Sequence, residues 1–407
     1  MRLTFSQLWI VVAVALPAIV ALLVPLPAVD LAYQVRAGNQ ILATGAIPAV
    51  DTWTFTVAGT PWVDQQWLSQ VLLALGYNAG GWELLTVARA TLVALSVGLL
   101  VAVAMVRDAP ARTASILALA ASMLMASAMA LRPQLGGILL FAVLLLLVAA
   151  RERHPRAYLA APLVIALWAN IHGSFVLGPL VLGYAWVEDL IAGKPGATRS
   201  VIVFVAGTLA TLVNPYGAGV WAYAAGIGAN PGVTQIVTEW QRTSPLRMPG
   251  ALLYPAAIIS LALLVRGRSR VSVPAWGLAL VLTLMALWAE RGGAWWAMGM
   301  VYLLGGVLAV DPASRMQQAR ARRASRLNGA VVALLGVLIV AALPWWRPPD
   351  PLTGRVGLLS YAPSGLATAV RDSVEVGQRV VVPQIWGSWF ELVAPQATYF
   401  VAVSYTH

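Results

Sequence analysis

The sequence predicts an α-helical polytopic membrane protein, and three observations predict it. Of 407 residues, 60% are hydrophobic and only 10% charged, whereas a soluble fold carries roughly 25% charged residues. The mean hydropathy is +0.80. The apolar residues fall into long stretches bounded by arginines, prolines and glycines, giving about eleven transmembrane helices. These are expected at 8–29, 82–106, 113–131, 134–150, 157–171, 174–187, 200–213, 251–265, 271–289, 292–310 and 327–344. Residues 1–344 then form a transmembrane domain and 345–407 an extracytoplasmic segment.

The first stretch, Leu8–Val29, carries no charge and reads as a retained anchor, too long and too weakly basic at its start for a signal peptide. Residues 30–81 form the first outer loop, with two amphipathic helices lying in the interface plane. Asp30 is expected to cap the first, which presents Leu31, Val35 and Leu42 on one face and ends at Gly45 and Pro48. The second begins beyond Pro61, repeats Trp67, Leu68, Val71, Leu72 and Leu75 at helical spacing, and breaks at Gly80-Gly81.

Between Arg156 and Glu188 only 31 residues are available for an outward-and-back hairpin, where two crossings with a turn need about 42. Its tip, Trp168 to Ser174, is therefore expected to sit recessed beside a hydrated cavity. Residues 214–250 form a second outer segment. In the tail, Arg379–Pro383 and Ala397–Val403 read as strands of a small α/β unit, and the pattern stops inside a strand, as a truncated segment would.

Basic residues orient the chain. With the N-terminus in the cytoplasm, inside loops hold Arg107 and Arg112, Arg151, Arg153 and Arg156, Lys194 and Arg199, Arg266 to Arg270, and the run Arg315 to Arg326, which borders anionic headgroups. Inside acids are Asp108, Glu152, Glu188, Asp189 and Asp311. The expectation is a multi-pass protein of the cytoplasmic membrane with its C-terminus outside. The net charge of +11 reflects that orientation and the lipid surface rather than nucleic acid, because the arginines are dispersed between apolar spans. With no cysteine, disulfides, thiol catalysis and thiolate metal sites are excluded.

Three acids, Asp30, Asp51 and Asp64, stand on the first loop. A carboxylate at a bilayer exit can deprotonate a hydroxyl, a poor nucleophile when neutral. Asp30 is the first candidate and Asp64 the second, while Asp51 in Asp51-Thr52-Trp53-Thr54 fits a turn. Arg132, Arg291 and Arg89 are candidates for phosphate, which a guanidinium grips bidentately while staying charged. His172 with Asn170 is placed to bind a sugar hydroxyl, a phosphate or an acceptor. A metal held by His172 with Asp64 or Asp30 finds no support in the spacing, so no cofactor is called for and a divalent metal stays open. Most of the 17 tryptophans suit an interface belt; Trp62 and Trp67 are the two suited to stack on sugars.

The blocks Asp30…Arg36-x-Gly38, Pro61-Trp-Val-Asp-x-x-Trp-Leu68, Leu131-Arg-Pro-Gln134, Trp168-Ala-Asn-x-His-Gly173, Asn214-Pro-Tyr-Gly217 and Glu239-Trp-Gln241 together resemble bacterial members of the GT-C glycosyltransferase superfamily, relatives of polyprenyl-phosphate-sugar-dependent mannosyl- and arabinosyltransferases. The resemblance covers most of the chain to about residue 400. It implies an outward-facing active site, a polyprenyl monophosphate sugar as donor, inverting transfer to a glycan, lipid or protein acceptor, Asp30 as catalytic base and Arg291 at the donor phosphate. The candidate set is completed by Asp64 beside Asp30, and by Arg36, Gln65, Gln66, Trp67, Arg132, Gln134, Asn170, His172, Asn214 and Glu239 as substrate-binding residues. Two features depart from that group: Asp30 is not one of a pair of adjacent acids, and Tyr33-Gln34 stands where relatives often have Trp-His. The competing readings are a transporter or flippase of a lipid-linked or small polar solute, and a non-catalytic assembly subunit. Against the former, charges cluster at span ends and the two halves do not repeat.

Overall fold

The structure is a computed structural model that describes residues 2–230, 234, 237–310, 324–347 and 357–400. The basic run from Arg315 to Arg323 and the end of the expected second strand, Val401 to Val403, lie outside the described residues.

Apolar helices dominate. They are α1 (Phe5–Leu23), α2 (Ala28–Thr44), α3 (Trp67–Val106), α4 (Ala111–Leu124), α5 (Pro133–Ala150), α6 (Ala161–Ala169), α7 (Leu177–Ile191), α8 (Ala197–Ala210), α9 (Gly219–Ala229), α10 (Gly250–Arg266), α11 (Val273–Trp288), α12 (Gly292–Val307) and α13 (Arg326–Ala341). Four helical stretches, 5–23, 67–106, 133–150 and 173–191, are long and apolar enough to cross a membrane, and six further apolar helices are shorter. Large apolar side chains such as Leu163, Ile258, Val273 and Val337 are exposed on the outside of the bundle. That surface suits lipid rather than water, and the build is that of a helical membrane protein.

The expected first span, 8–29, is corrected: α1 ends at Leu23. Pro25 and Pro27 cannot donate to a helical ladder and push the residues before them toward extended backbone, and Val24 is extended (φ −71°, ψ 133°). The chain restarts as α2 at Ala28, so Val29 belongs to the loop helix. Arg89 on α3 closes the break by donating to the carbonyls of Ala21, Val24 and Pro25, with Arg347 donating to Leu22. These carbonyls lack helical partners of their own. The two guanidiniums also suit the negative end of the α1 dipole.

α2 packs along the first half of α3. A Cβ at Gly38 would lie 2.0 Å from the Gln70 carbonyl oxygen, so only glycine permits this approach. α3 bends at Gly80-Gly81, where Gly81 takes φ 63°, ψ −158°, a region essentially confined to glycine. The bend separates the loop helix (67–79) from the apolar span (82–106), as the Gly-Gly pair predicts.

The tail contributes α14 (Ser364–Ser373), α15 (Gln384–Val393) and four two-residue strands pair up around it. β1 (Leu26–Pro27) pairs in parallel with β2 (Leu359–Ser360), and β3 (Arg379–Val380) with β4 (Thr398–Tyr399). The α/β character agrees with the sequence, although the strands are far shorter than expected. The docking is additional: Trp389, Phe390 and Tyr399 bury against Ala28 and Ala32 of α2, and the Ser388 hydroxyl donates to the Val29 carbonyl.

Candidate functional site

A cavity of about 1030 Å³ opens between α2, α5, the hairpin tip at 172–177, α9, the turn at 237–240, and the α11–α12 junction. Asp30, Gln65, Gln66, Arg132, Gln134, His172, Glu239 and Arg291 all line it. These residues come from six separate sequence blocks.

The position of Arg132 follows from its neighbour. Pro133 occupies the first turn of α5, where its missing N–H costs nothing, and forces Arg132 into extended backbone (φ −137°, ψ 164°). The guanidinium thereby meets Asp30: Nε lies 2.6 Å from Oδ2. Its Nη1 donates to Glu239 Oε1 at 2.7 Å. The expectation that Asp30 caps α2 is corrected, because the cap position is Pro27 and Asp30 sits in the first turn making no cap bond. Its carboxylate is committed to Arg132 through one oxygen. Burial raises the Asp30 pKa above the usual carboxylate value, a rise opposed by the Arg132 charge and increased by Glu239.

Glu239 and Arg291 are drawn together by backbone: Arg291 N–H donates to the Glu239 carbonyl at 3.0 Å and Glu290 N–H to the Gln241 carbonyl at 3.0 Å. The Arg291 guanidinium lies 4.5 Å from the centroid of the Trp240 ring, a cation–π contact that holds it flat. It does not pair with neighbouring Glu290, and among the described residues it forms no ion pair. The cavity therefore holds one cation already neutralised by two acids and a second with its donors uncommitted.

His172 sits at the hairpin tip. Ser174 N–H donates to Nδ1 at 3.2 Å and Ser174 Oγ lies 2.7 Å from the same nitrogen. Trp168 Nε1 donates to Ser174 Oγ at 3.1 Å. A backbone N–H cannot accept, so Nδ1 is the acceptor and the neutral ring carries its proton on Nε2. Burial, with the Arg291 charge in addition, pushes the His172 pKa down to about 3; the ring is a neutral donor, not a cation.

Arg89, the third phosphate candidate, lies outside the cavity lining with its guanidinium spent on the end of α1, and so do five of the other candidates. Asp64 is buried, accepting from Gln70 Nε2 at 2.7 Å, while its own N–H donates to the Tyr216 hydroxyl at 2.9 Å. Burial raises its pKa to about 7. Trp67 Nε1 donates to Asn170 Oδ1 at 3.0 Å, and the Asn170 amide donates to the carbonyls of Ala166 and Val213. Asn214 closes its own turn, donating to Thr211 and accepting from Tyr216 N–H. Arg36 lies 4.4 Å from the Trp53 ring centroid, away from the cavity. These contacts hold the loops that frame the cavity, with Asp64 Oδ2 and Arg36 Nη1 left without a hydrogen-bond partner among the described residues. Trp62, expected to stack on sugars, is instead buried edge-on against Trp53 at 5.2 Å. Asp51 forms the turn expected of it, accepting from Trp53 N–H at 2.7 Å and Thr54 N–H at 3.0 Å.

Sequence reasoning missed Gln34, Tyr223, Trp288 and Trp295, which also line the cavity. Tyr223, Trp288 and Trp295 sit within apolar helices with no flanking motif, whereas Gln34 lies inside the Asp30…Arg36 block, where it stood out only as a departure from the resembled pattern. Val176, Leu177, Ile227, Leu284, Met285 and Trp288 give the cavity an apolar share of its lining, and Leu284 and Trp288 are also exposed on the surface of α11. Among the described residues no group of three or more His, Asp or Glu side chains is gathered as metal ligands would be.

Fold and site define a class: a helical membrane protein with a cavity lined by both charged and apolar side chains. The chain matches no protein-family model and no curated protein.

Proposed function

We propose that the chain is a multi-pass glycosyltransferase of the cytoplasmic membrane, with about eleven spans, its N-terminus inside and the cavity on the outer side. It moves a sugar from a polyprenyl monophosphate donor to an extracytoplasmic glycan, lipid or protein. The observation that carries this reading is the sharing of one cavity by Asp30, Arg132, Glu239 and the uncommitted Arg291 with a set of apolar side chains. A lipid-phosphate sugar is the amphipathic ligand such a cavity suits: the prenyl chain lies along Leu284, Met285 and Trp288, and the phosphate meets Arg291.

Asp30 removes the acceptor proton. Arg132 holds its Oδ2, and Oδ1 makes no hydrogen bond among the described residues. The acceptor oxygen attacks the anomeric carbon from the face opposite the phosphate, the carbon–phosphate oxygen bond breaks, and configuration inverts. Arg291 stabilises charge appearing on the departing phosphate, and neutral His172 donates from Nε2 without adding charge. Arg132 acts mainly as the positioner of Asp30 and Glu239, a narrower task than the phosphate contact its motif suggests.

The test is transfer from radiolabelled polyprenyl-phospho-sugars by the purified protein in nanodiscs. Asp30→Asn is expected to lower turnover by roughly 10²- to 10⁴-fold with donor binding intact. Wild-type turnover in that variant refutes the base assignment. Donor binding with no turnover in the wild type replaces transfer by transport or a scaffold role.

A further inference from the structure

We infer that Gln34 and Gln65 form a hydroxyl-binding subsite that restricts the ligand to an uncharged, hydroxyl-bearing sugar. The inference rests on the glycosyltransferase reading and names the class of sugar it takes.

Both side chains are 2–3% exposed and both line the cavity. The Gln65 amide is fixed in orientation, since Nε2 donates to the Ala169 carbonyl at 2.7 Å. Its Oε1 has no donor among the described residues and stands beside Gly173, where an added Cβ would lie 3.7 Å away. Gly173 is itself on the cavity wall. Gln34 Nε2 lies 2.8 Å from the Tyr33 hydroxyl and 3.2 Å from Gln66 Oε1, so its Oε1 is likewise left without a donor. The Tyr223 hydroxyl, on the same cavity, also has no hydrogen-bond partner among the described residues.

Buried acceptors left unpaired are costly and rare. A ligand that completes them must bring donors. A phosphate dianion has none, and a uronate would set its charge against two carbonyl oxygens and the nearby Asp30. Neutral hydroxyls satisfy the carbonyls and can accept from Tyr223 in return. The cavity thus divides: Arg291 serves phosphate, and the two glutamines serve the ring. A site built to bond a hydroxyl rejects a ligand lacking it more strongly than a hydrophobic pocket rejects a missing methylene.

The test compares binding of farnesyl phosphate, its neutral hexose diester and the matching uronate diester to the full chain in nanodiscs. The wild type is expected to prefer the hexose diester over the uronate and over farnesyl phosphate by at least about tenfold. Gln34→Met and Gln65→Met, which keep length but lose the acceptor, are each expected to cut that preference about tenfold while farnesyl phosphate binds unchanged. A preference untouched by both variants, or equal binding of the uronate, overturns the subsite and leaves the glycosyltransferase reading standing. Failure of all three lipids to bind removes both. Because a variant can misfold, a series of monodeoxy-hexose diesters on the wild type gives a second readout: one or two positions are expected to cost about tenfold each, and a flat series overturns the subsite.

Discussion

At the scale of residues, the charge arrangement makes pH the sharpest probe. As the proposed base Asp30 works only when ionised, and burial raises its pKa while Arg132 opposes the rise. The acid limb of kcat/KM is therefore expected above the ordinary carboxylate range, and Arg132→Met is expected to move it to still higher pH; an unmoved limb separates Asp30 from the rate. Asp64 predicts a stability effect. Its folded pKa of about 7 exceeds the ordinary 3.8, so folding favours the protonated form. That stabilisation is complete below pH 3.8 and is lost as pH rises to about 7. Wild-type Tm in detergent is expected to fall across this window, and Asp64→Asn to flatten part of the slope, with Glu391, also raised to about 7 by burial, and Asp30, raised likewise, contributing in the same direction. Asp30, Arg132, His172, Glu239 and Arg291 were legible as cavity residues because each is a polar group at a junction between apolar stretches. Asn170 and Trp67 looked the same, yet they bond each other across 103 positions. Spacing cannot tell a side chain spent on folding from one left for a ligand.

At the scale of elements, the helices were legible because apolar runs, prolines and Gly80-Gly81 mark them directly. The tail was legible only in composition. Two-residue strands carry no periodicity, and nothing local in Trp389-Phe390 says that they seat against Ala28 and Ala32. The α2–α3 contact makes its own prediction. Gly38→Ala would drive a methyl group into the Gln70 carbonyl oxygen, and overpacking of this kind costs about 1–3 kcal/mol. Since α2 carries Asp30, the variant is expected to lower Tm and to weaken transfer while leaving α5 and Arg132 in place. An unchanged Tm would show that the two helices can part without loss.

At the scale of the whole molecule, charge gathers at two levels. α5 begins at the cavity with Pro133 and Gln134 and ends next to Arg151, about 27 Å further along at 1.5 Å per residue, close to a bilayer's hydrocarbon thickness. There Arg151 lies 2.7 Å from both Glu188 and Asp189, and the hydroxyls of Tyr184, Ser200 and Ser272 donate to the same two acids. Lys194 joins Asp189 and Glu152. Basic residues that read as topology markers in the sequence are thus also structural partners. Removing one member of a buried pair costs about 3–5 kcal/mol, so Arg151→Met is expected to lower Tm steeply, while its surviving folded fraction binds prenyl phosphate normally. Loss of binding in that fraction would mean the two levels are coupled.

The pairing of Leu26–Pro27 with Leu359–Ser360 has a consequence for biogenesis. Membrane insertion proceeds from the N-terminus, so the segment bearing Asp30 leaves the translocon long before the strand and aromatic pair that seat it have been made. Until then α2 has its packing on α3 but lacks the tail's aromatic contacts at Ala28 and Ala32, and the proposed transfer is expected to await them. On the proposed reading, competence is expected late, when the last described stretch folds back onto the first.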